Sequence, residues 1–536
     1  MRKPYGTLWI LVLLFAALMS LPWLVPHTGV LALLGFVPLL SAERVASQNG
    51  VRHFWIWHYS AFLLWNAATT FWICNATVGG AVFAIMANAL QMSLIFGLFR
   101  LSKKRLGGIL PYVFLMAAWI AWERWYFTQA QISWPWLVLG NAFARSIRTV
   151  QWYEFTGTLG GSLWVWLSNL GIFGLFVSIM EGTWFRWNRL AKSCSVLGVV
   201  LVTALPLAAS AHIWHHFGED SRGSVDVLIA QPDFDPYQKF QSMTQQQQNE
   251  VLLEQFSAAL PDTAWEGLLI APETFTGDIF LNNVEGSHTW SMFQDFLQEH
   301  KGADLLFGAS TYDIYAQKSA PSILARKHGD VWLENHNSAL VTDFTGRREI
   351  FHKSKLVVGV ELTPYPKFFV PIDDKLGGLM GRCIGQERIS TLDYVSRDSG
   401  AEPFGCAICY ESVYPEYCTG YVREGARFMT VITNDAWWGD TPGYRQHASF
   451  SSLRAIELRR DIARCGNTGI SAFINQRGEF TSQSDWWQRQ TLQGSVNLSD
   501  RQTFFVKNGD ITGRVCTFAF LLLLAWLVVA MFIPRR

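Results

Sequence analysis

The sequence predicts a bundle of eight membrane-spanning helices that carries one α/β domain on the outer side of the membrane. Three observations lead there. Half of the 536 residues are hydrophobic, only 16% are charged, and 25 are tryptophan, whereas a soluble chain has about 25% charged residues. The apolar residues are gathered into long uncharged runs. Between the last two of these runs lies a polar segment, residues 219–513, in which short β-rich stretches alternate with helix-like ones. A formal net charge of +1 leaves no basic face of the kind that binds nucleic acid, and that class of partner is excluded.

The runs justify the spans in order. No Asp, Glu, Lys or Arg occurs from Pro4 to Ala42 or from His53 to Phe99, and each run holds two spans of about 20 residues. The first breaks at Pro26-His27-Thr28-Gly29 and the second at Asn75 to Gly80, both turn-like. Single runs follow at Leu106 to Trp122, Phe155 to Met180, Ser193 to Gly218 and Val515 to Pro534. The second span is the weakest, because Glu43 follows Gly29 closely. With the N-terminus inside, Arg2, Lys3, Arg44, Arg52, Arg100, Lys103, Lys104, Arg105, Arg186, Arg189, Lys192, Arg535 and Arg536 fall at cytoplasmic ends, while the short outer loops hold Arg145 and Arg148. That bias obeys the positive-inside rule and places both termini in the cytoplasm. The first run reads as an anchor, since no small-residue cleavage site follows it. The expected division is residues 1–218 for seven spans, 219–513 for the outer domain and 514–536 for the eighth span and tail.

In the polar segment, Val225 to Ala230, Leu268 to Ala271, Leu305 to Gly308, Ser338 to Val341, Ala407 to Cys409, Met429 to Thr433 and Ile470 to Ile474 read as strands. Lys239 to Leu260 and Ser452 to Arg464 read as helices. Interleaved strands and helices imply a layered α/β fold. Three strand ends carry reactive side chains, where α/β sheets build their sites: Pro272-Glu273 after the second strand, His352-Lys353, and Cys409-Tyr410-Glu411 after Ala407-Ile408.

Those three motifs, followed by Thr433-Asn434-Asp435-Ala436-Trp437-Trp438-Gly439-Asp440, resemble the nitrilase superfamily with its Glu-Lys-Cys triad. Joined to seven preceding spans and one following, and to Trp134-Pro135-Trp136-Leu137-Val138-Leu139-Gly140-Asn141 and Gln151 to Gly157, they make the whole chain similar to the apolipoprotein N-acyltransferase family. The resemblance implies an αββα sandwich, catalytic Glu273, Lys353 and Cys409, and supporting Glu361, Tyr410 and Glu411. It implies no metal and no organic cofactor. Its partners would be a phospholipid acyl donor, an apolipoprotein with a diacylglyceryl-cysteine N-terminus and the bacterial inner membrane, with the catalytic domain periplasmic. Glu361 follows Leu356-Val357-Val358-Gly359-Val360 where the family more often has Pro-Phe-Gly before this glutamate. Trp134, Trp136, Phe368, Trp437 and Trp438 are candidate substrate-binding residues.

The chemistry asks for these residue types independently of the family. A free thiol is only a few per cent ionised at neutral pH and needs a base or cation beside it. Glu273 can take its proton, and Lys353 with the backbone N–H after Cys409 can stabilise an oxyanion at about 3–4 kcal/mol per donor. Cys406 and Cys409 also form a C-x-x-C, but residues three apart on one strand face opposite ways, and no second pair completes a zinc site. Lys355 competes with Lys353. Asn434 and Asp435 are expected to satisfy backbone groups in the turn after their strand, and His447, Arg454 and Glu457 to make structural polar contacts. His215 and His216 read as interfacial. The stretch from Thr363 to Ser396, with Phe368-Phe369-Val370 and Leu376 to Gly381, reads as a mobile lid dipping toward lipid. A membrane-tethered amidase acting on a small C–N substrate and an inactive transporter or scaffold are the competing functions.

Overall fold

The computed structural model describes residues 4–235, 243–260, 264–397 and 400–532. They form two units. One comprises the chain up to Ala130, Trp134–Phe217 and the segment from Asn508 onward; the other comprises Gln131–Ser133 and Gly218–Lys507.

In the first unit, helices occupy every predicted position, and among the described residues six are by length and composition able to cross a membrane: Tyr5–Leu24, Gly29–Gln48, Val78–Lys103, Tyr153–Met180, Arg189–His216 and Ile511–Phe532. Trp55–Thr70 has 16 residues, about 24 Å at 1.5 Å per residue and short of a hydrocarbon core. Leu110–Thr128 carries Glu123 and Arg124 in its final turns. The weak second span is a 3-10 turn, Gly29–Leu31, running into helices Ala32–Gly35 and Val37–Gln48. Its buried Glu43 is matched by Lys103 and by Arg100 at 3.5 Å, as a carboxylate away from water requires. Arg2, Lys3, Arg535 and Arg536, which contributed to the charge bias, lie outside the described residues.

The second unit stacks two sheets. The first runs in the order Gln490–Asn497, Ser224–Gln231, Gly267–Ile270, Ala303–Tyr315, Val331–Thr342 and Arg326–His328, with Thr276–Phe280 and Glu349–His352 attached to its longer strands. The second runs Phe480–Gln483, Ala472–Ile474, Ile462–Gly466, Phe428–Thr433, Gly400–Ile408 and Leu392–Ser396. Strand alternation assigns the faces. Val225, Val227 and Ile229 join the core shared with Ile408, Val431 and Ala463. Leu228 and Ala230 face the other way, onto Leu252 and Phe256 of helix Gln245–Ala259 and Phe293 and Leu297 of helix His288–Glu299. Helices Pro415–Arg423 and Pro442–Leu458 cover the second sheet through Tyr421, Val422, Ala455 and Leu458. The layering is αββα.

Two helix predictions change. The helix expected over Ser452 to Arg464 ends at Leu458, and Arg459 reverses the chain at φ 50°. Ile462–Gly466 then pairs in parallel with Met429–Thr433 as a central strand, its Arg464 satisfied internally. Of Lys239 to Leu260, the described helix is Gln245–Ala259, started by a reciprocal Thr244–Gln247 capping box; Lys239 to Ser242 lie outside the described residues.

Gly308 fixes where the second strand delivers its carboxylate. Its backbone pairs with Pro272 and Phe275 across the Glu273 turn, and a Cβ on it would lie 2.6 Å from both Glu273 Cα and Pro272 O. Gly308→Ala is therefore expected to destabilise the domain by about 1–3 kcal/mol and to displace Glu273, read by urea unfolding together with the acylation rate of Cys409.

Candidate active site

Three strands end at one place. Glu273 follows Gly267–Ile270 by three residues, Lys353 follows Glu349–His352 directly, and Cys409 follows Gly400–Ile408 directly. All three lie at carboxyl ends of their strands, where unpaired backbone groups and diverging loops leave room for a ligand.

Lys353 is almost fully buried, and its ammonium donates to Glu273 Oε1 and to Glu361 Oε1, both at 2.9 Å. Asn337 Nδ2 donates to the same two oxygens at 2.8 and 2.7 Å. The other Glu273 oxygen accepts from the Asn434 backbone N–H at 3.2 Å, and the other Glu361 oxygen from that of Val357 at 2.8 Å. Burial works against the charge on Lys353, but Glu273, Glu361 and Cys409 together hold its pKa well above the ordinary lysine value. Lys355 sits elsewhere, over the rings of Tyr414 and Tyr417 at 5.3 and 5.4 Å. Lys353 is thus the lysine that meets the carboxylates.

Cys409 opens a 3-10 turn, Cys409–Val413, with φ +50°. A non-glycine residue in this left-handed region is strained by about 1–3 kcal/mol and has to be held there by its surroundings. Burial pushes its thiol pKa well up and Glu273 and Asp435 add to the rise, while Lys353 and a Thr433 hydrogen bond oppose it. That direction favours the protonated thiol over the thiolate at neutral pH.

Glu411 ties two of these strand ends together. It is fully buried. One of its oxygens accepts from the N–H groups of Ser354 (2.7 Å) and Lys355 (3.2 Å) and from the Tyr417 hydroxyl (2.8 Å). The other accepts from the Ile408 N–H (2.9 Å) and the Tyr421 hydroxyl (3.3 Å). One carboxylate thereby fixes the loop after Lys353 to the residue before Cys409. Tyr410 is buried and its hydroxyl donates to Ser133 O at 3.3 Å.

The candidate substrate residues are divided between the two units. Trp437 and Trp438 belong to the turn Asp435–Trp438 beyond the Cys409 elbow; Trp437 is exposed and Trp438 packs edge-on against His447 at 5.5 Å. Phe368 is exposed on helix Pro366–Lys375. Trp134 and Trp136 belong to the helical unit, where their rings stack at 5.0 Å. The segment read as a lid exposes Phe368, Ile372, Leu376 and Leu379 and is anchored at its far end, where Gly381 N donates to Gly359 O (3.0 Å) and Cys383 N to Glu361 O (2.8 Å).

Sequence reading missed Asn337, which sits in the polar run Glu334 to Ser338 of strand Val331–Thr342 and carries no local signal of its own. It also misassigned Asp435, expected to serve backbone groups. Asp435 is fully buried and binds side chains: Thr433 Oγ1 donates at 2.8 Å, Arg464 Nη2 at 2.6 Å, and His447 Nδ1 lies at 2.8 Å. Burial acts to raise its pKa, but His447 and Arg464 bring it down to about 2. Cys409, Asp435 and His447 place possible metal-donor atoms within 4.8 Å of one another, yet the Arg464 guanidinium already supplies the positive charge there and reaches His447 Nδ1 at 3.1 Å. His447 Nε2 also lies 3.1 Å from the Cys409 carbonyl oxygen, a polar contact of the kind expected.

Known families match both parts of the chain. Residues 314–504 match the carbon-nitrogen hydrolase family, a stretch that includes Lys353, Glu361 and Cys409. Residues 7–171 match the apolipoprotein N-acyltransferase N-terminal domain. An apolipoprotein N-acyltransferase of Chlorobaculum tepidum is 28% identical over 92% of this chain and 91% of its own, and one of Geobacter metallireducens is 26% identical over 95% and 93%. Among solved structures, Nit3 of Saccharomyces cerevisiae, a member of branch 10 of the nitrilase superfamily, aligns with 55% of this chain and 96% of its own at 14% identity and a TM-score of 0.37. The class is a carbon-nitrogen hydrolase domain joined to apolar helices. With both family matches in one chain and relatives aligned over nearly its whole length, the protein belongs to the apolipoprotein N-acyltransferase family.

Because Glu273 helps to keep the Cys409 thiol protonated, Glu273→Gln should move the two properties of the site in opposite directions. The midpoint of iodoacetamide alkylation at Cys409 shifts to lower pH as the like charge is lost, while acyl transfer falls by about 10²–10⁴-fold for want of a base. A midpoint that stays or rises contradicts the charge assignment.

Proposed function

We propose that this acyltransferase moves a fatty acyl chain from a phospholipid to the α-amine of the diacylglyceryl-cysteine of an apolipoprotein, through a thioester on Cys409. The observation that carries this reading is a thiol under the influence of one buried carboxylate and one buried ammonium, in a chain that also holds six helices able to enter a bilayer.

Glu273 takes the thiol proton as the sulfur attacks the ester carbonyl carbon. The resulting oxyanion is met by the Lys353 ammonium and the Tyr410 backbone N–H, donors of about 3–4 kcal/mol each in the transition state. The C–O bond then breaks, Glu273 returns the proton to the glycerol oxygen, and lysophospholipid departs. In the second half the lipoprotein amine attacks the thioester, Glu273 accepts its proton, the C–S bond breaks, and the proton goes back to sulfur. Each half restores the charge state that the next requires, giving ping-pong kinetics. Glu361 and Asn337 keep Lys353 in place while Glu273 changes its proton. The domain faces the periplasm and both termini the cytoplasm, so phospholipid is the acyl source at hand. Apolar surroundings slow hydrolysis of the thioester, and the exposed row Phe368, Ile372, Leu376 and Leu379 suits contact with acyl chains.

Intact-protein mass spectrometry after incubation with phospholipid alone should show one acyl mass on the wild type and none on Cys409→Ala; a wild type without adduct under acid trapping overturns the thioester route. Leu376→Asp combined with Leu379→Asp should slow acylation by vesicle phospholipid at least tenfold while leaving acylation by p-nitrophenyl acetate within about threefold, as expected when only donor binding is lost. Equal rates with vesicles remove the lipid-contact role.

A further inference from the structure

The elbow at Cys409 is held by its own carbonyl oxygen. Ser412 Oγ donates to that oxygen at 2.7 Å, and His447 Nε2 lies 3.1 Å from it. His447 Nε2 is also 3.2 Å from Ser412 Oγ. Since the Ser412 hydrogen is committed to the carbonyl, both atoms facing Nε2 are acceptors, and this nitrogen carries a hydrogen in either charge state of the ring. On the other side, Nδ1 faces Asp435 Oδ1 at 2.8 Å, and Asp435 is gripped by Arg464 at 2.6 Å and Thr433 at 2.8 Å. Arg464 is in turn fixed by Ile470 O at 3.1 Å, and Trp438 closes one side of the imidazole. His447, Asp435 and Arg464 are all fully buried. The relay Arg464–Asp435–His447 ends on a peptide oxygen.

That oxygen belongs to the Cys409–Tyr410 peptide group, whose other end is the Tyr410 N–H. A trans peptide is planar with its C=O and N–H opposed, so holding the oxygen toward His447 turns the N–H to the opposite side. A hydrogen bond to the oxygen also polarises the N–H as a donor. We propose that His447, braced by Asp435 and Arg464, is a positioning residue that orients and polarises the Cys409–Tyr410 peptide so that the Tyr410 N–H serves as an oxyanion donor during acylation of Cys409. This deepens the acyl-transfer reading and rests on it for the identity of the natural substrate only.

The test uses two small probes on the purified full-length protein. Acylation of Cys409 by p-nitrophenyl acetate, read as the p-nitrophenolate burst, passes through an oxyanion; alkylation by iodoacetamide does not. His447→Asn keeps a donor toward Asp435 and removes the one toward the elbow, whereas His447→Gln places its amide N–H toward the Cys409 oxygen. In His447→Asn and His447→Phe, acylation should fall about 100-fold, the size of losing an oxyanion donor, with alkylation within about threefold. His447→Gln should recover acylation to within about tenfold of the wild type. Acylation and alkylation falling together by the same factor makes His447 a structural prop and overturns the proposal, as does no fall at all, or Gln acting no better than Asn. Where Phe prevents folding, the Gln and Asn variants decide. Failure of the phospholipid assay with the probe series intact would count against the natural substrate and not against His447.

Discussion

The site depends on one buried ammonium shared by two carboxylates. Lys353 loses its hydration on burial, a cost of several kcal/mol that only close, well-aligned anions offset. Glu273 and Glu361 each accept from it at 2.9 Å, and Asn337 supplies a further donor to both. With two anions against one cation, the cluster retains a surplus of negative charge beside the thiol. The Cys409 thiol is pushed up mainly by burial, and Glu273 adds to the rise while Lys353 opposes it.

That balance explains why the three residues must come from separate strands yet be held rigidly. Glu273 is set by the close approach of Gly308, Lys353 by a strand end whose N–H bonds Asn337 O at 2.8 Å, and Cys409 by a left-handed turn. Any one of these could drift independently. Glu411 couples the last two by accepting from Ile408 on one side and Ser354 and Lys355 on the other. Burial raises its pKa, opposed in part by the Ile408 and Ser354 N–H groups, the Tyr417 hydroxyl and the charge on Lys353.

Much of this was legible in the sequence because strand ends announce themselves: an apolar run stopped by Pro272-Glu273, or running into Cys409-Tyr410-Glu411. What escaped was whatever depends on partners far along the chain. Asn337 looks like an ordinary polar strand residue until Glu273 and Glu361, 64 and 24 positions away, fold onto it. The strand Ile462–Gly466 was read as helix because Arg464 hides its alternation, and a buried arginine makes sense only once Asp435 is seen at 2.6 Å. In the helical unit, charge-free runs located the helices, whereas Trp55–Thr70 fell short in length and Leu110–Thr128 carried charge at one end.

A thiol held protonated, inside a surplus of negative charge, is suited to an enzyme that must wait between two substrates. A standing thiolate would be open to oxidation and to stray electrophiles in proportion to its ionised fraction. On the proposed acyl-transfer route the nucleophile is generated only when an acyl carbonyl is present to take the developing charge between Lys353 and the backbone N–H. On the same route, once the acyl group is on sulfur, Glu273 holds no proton it needs to give away and is ready to accept one from an amine. Water competes for the same base, so discrimination has to come from exclusion of solvent rather than from the cluster, which has no means of telling the two nucleophiles apart. On that route Glu273, Lys353 and Cys409 set the order of proton transfers, and selectivity for amine over water falls to whatever keeps solvent out.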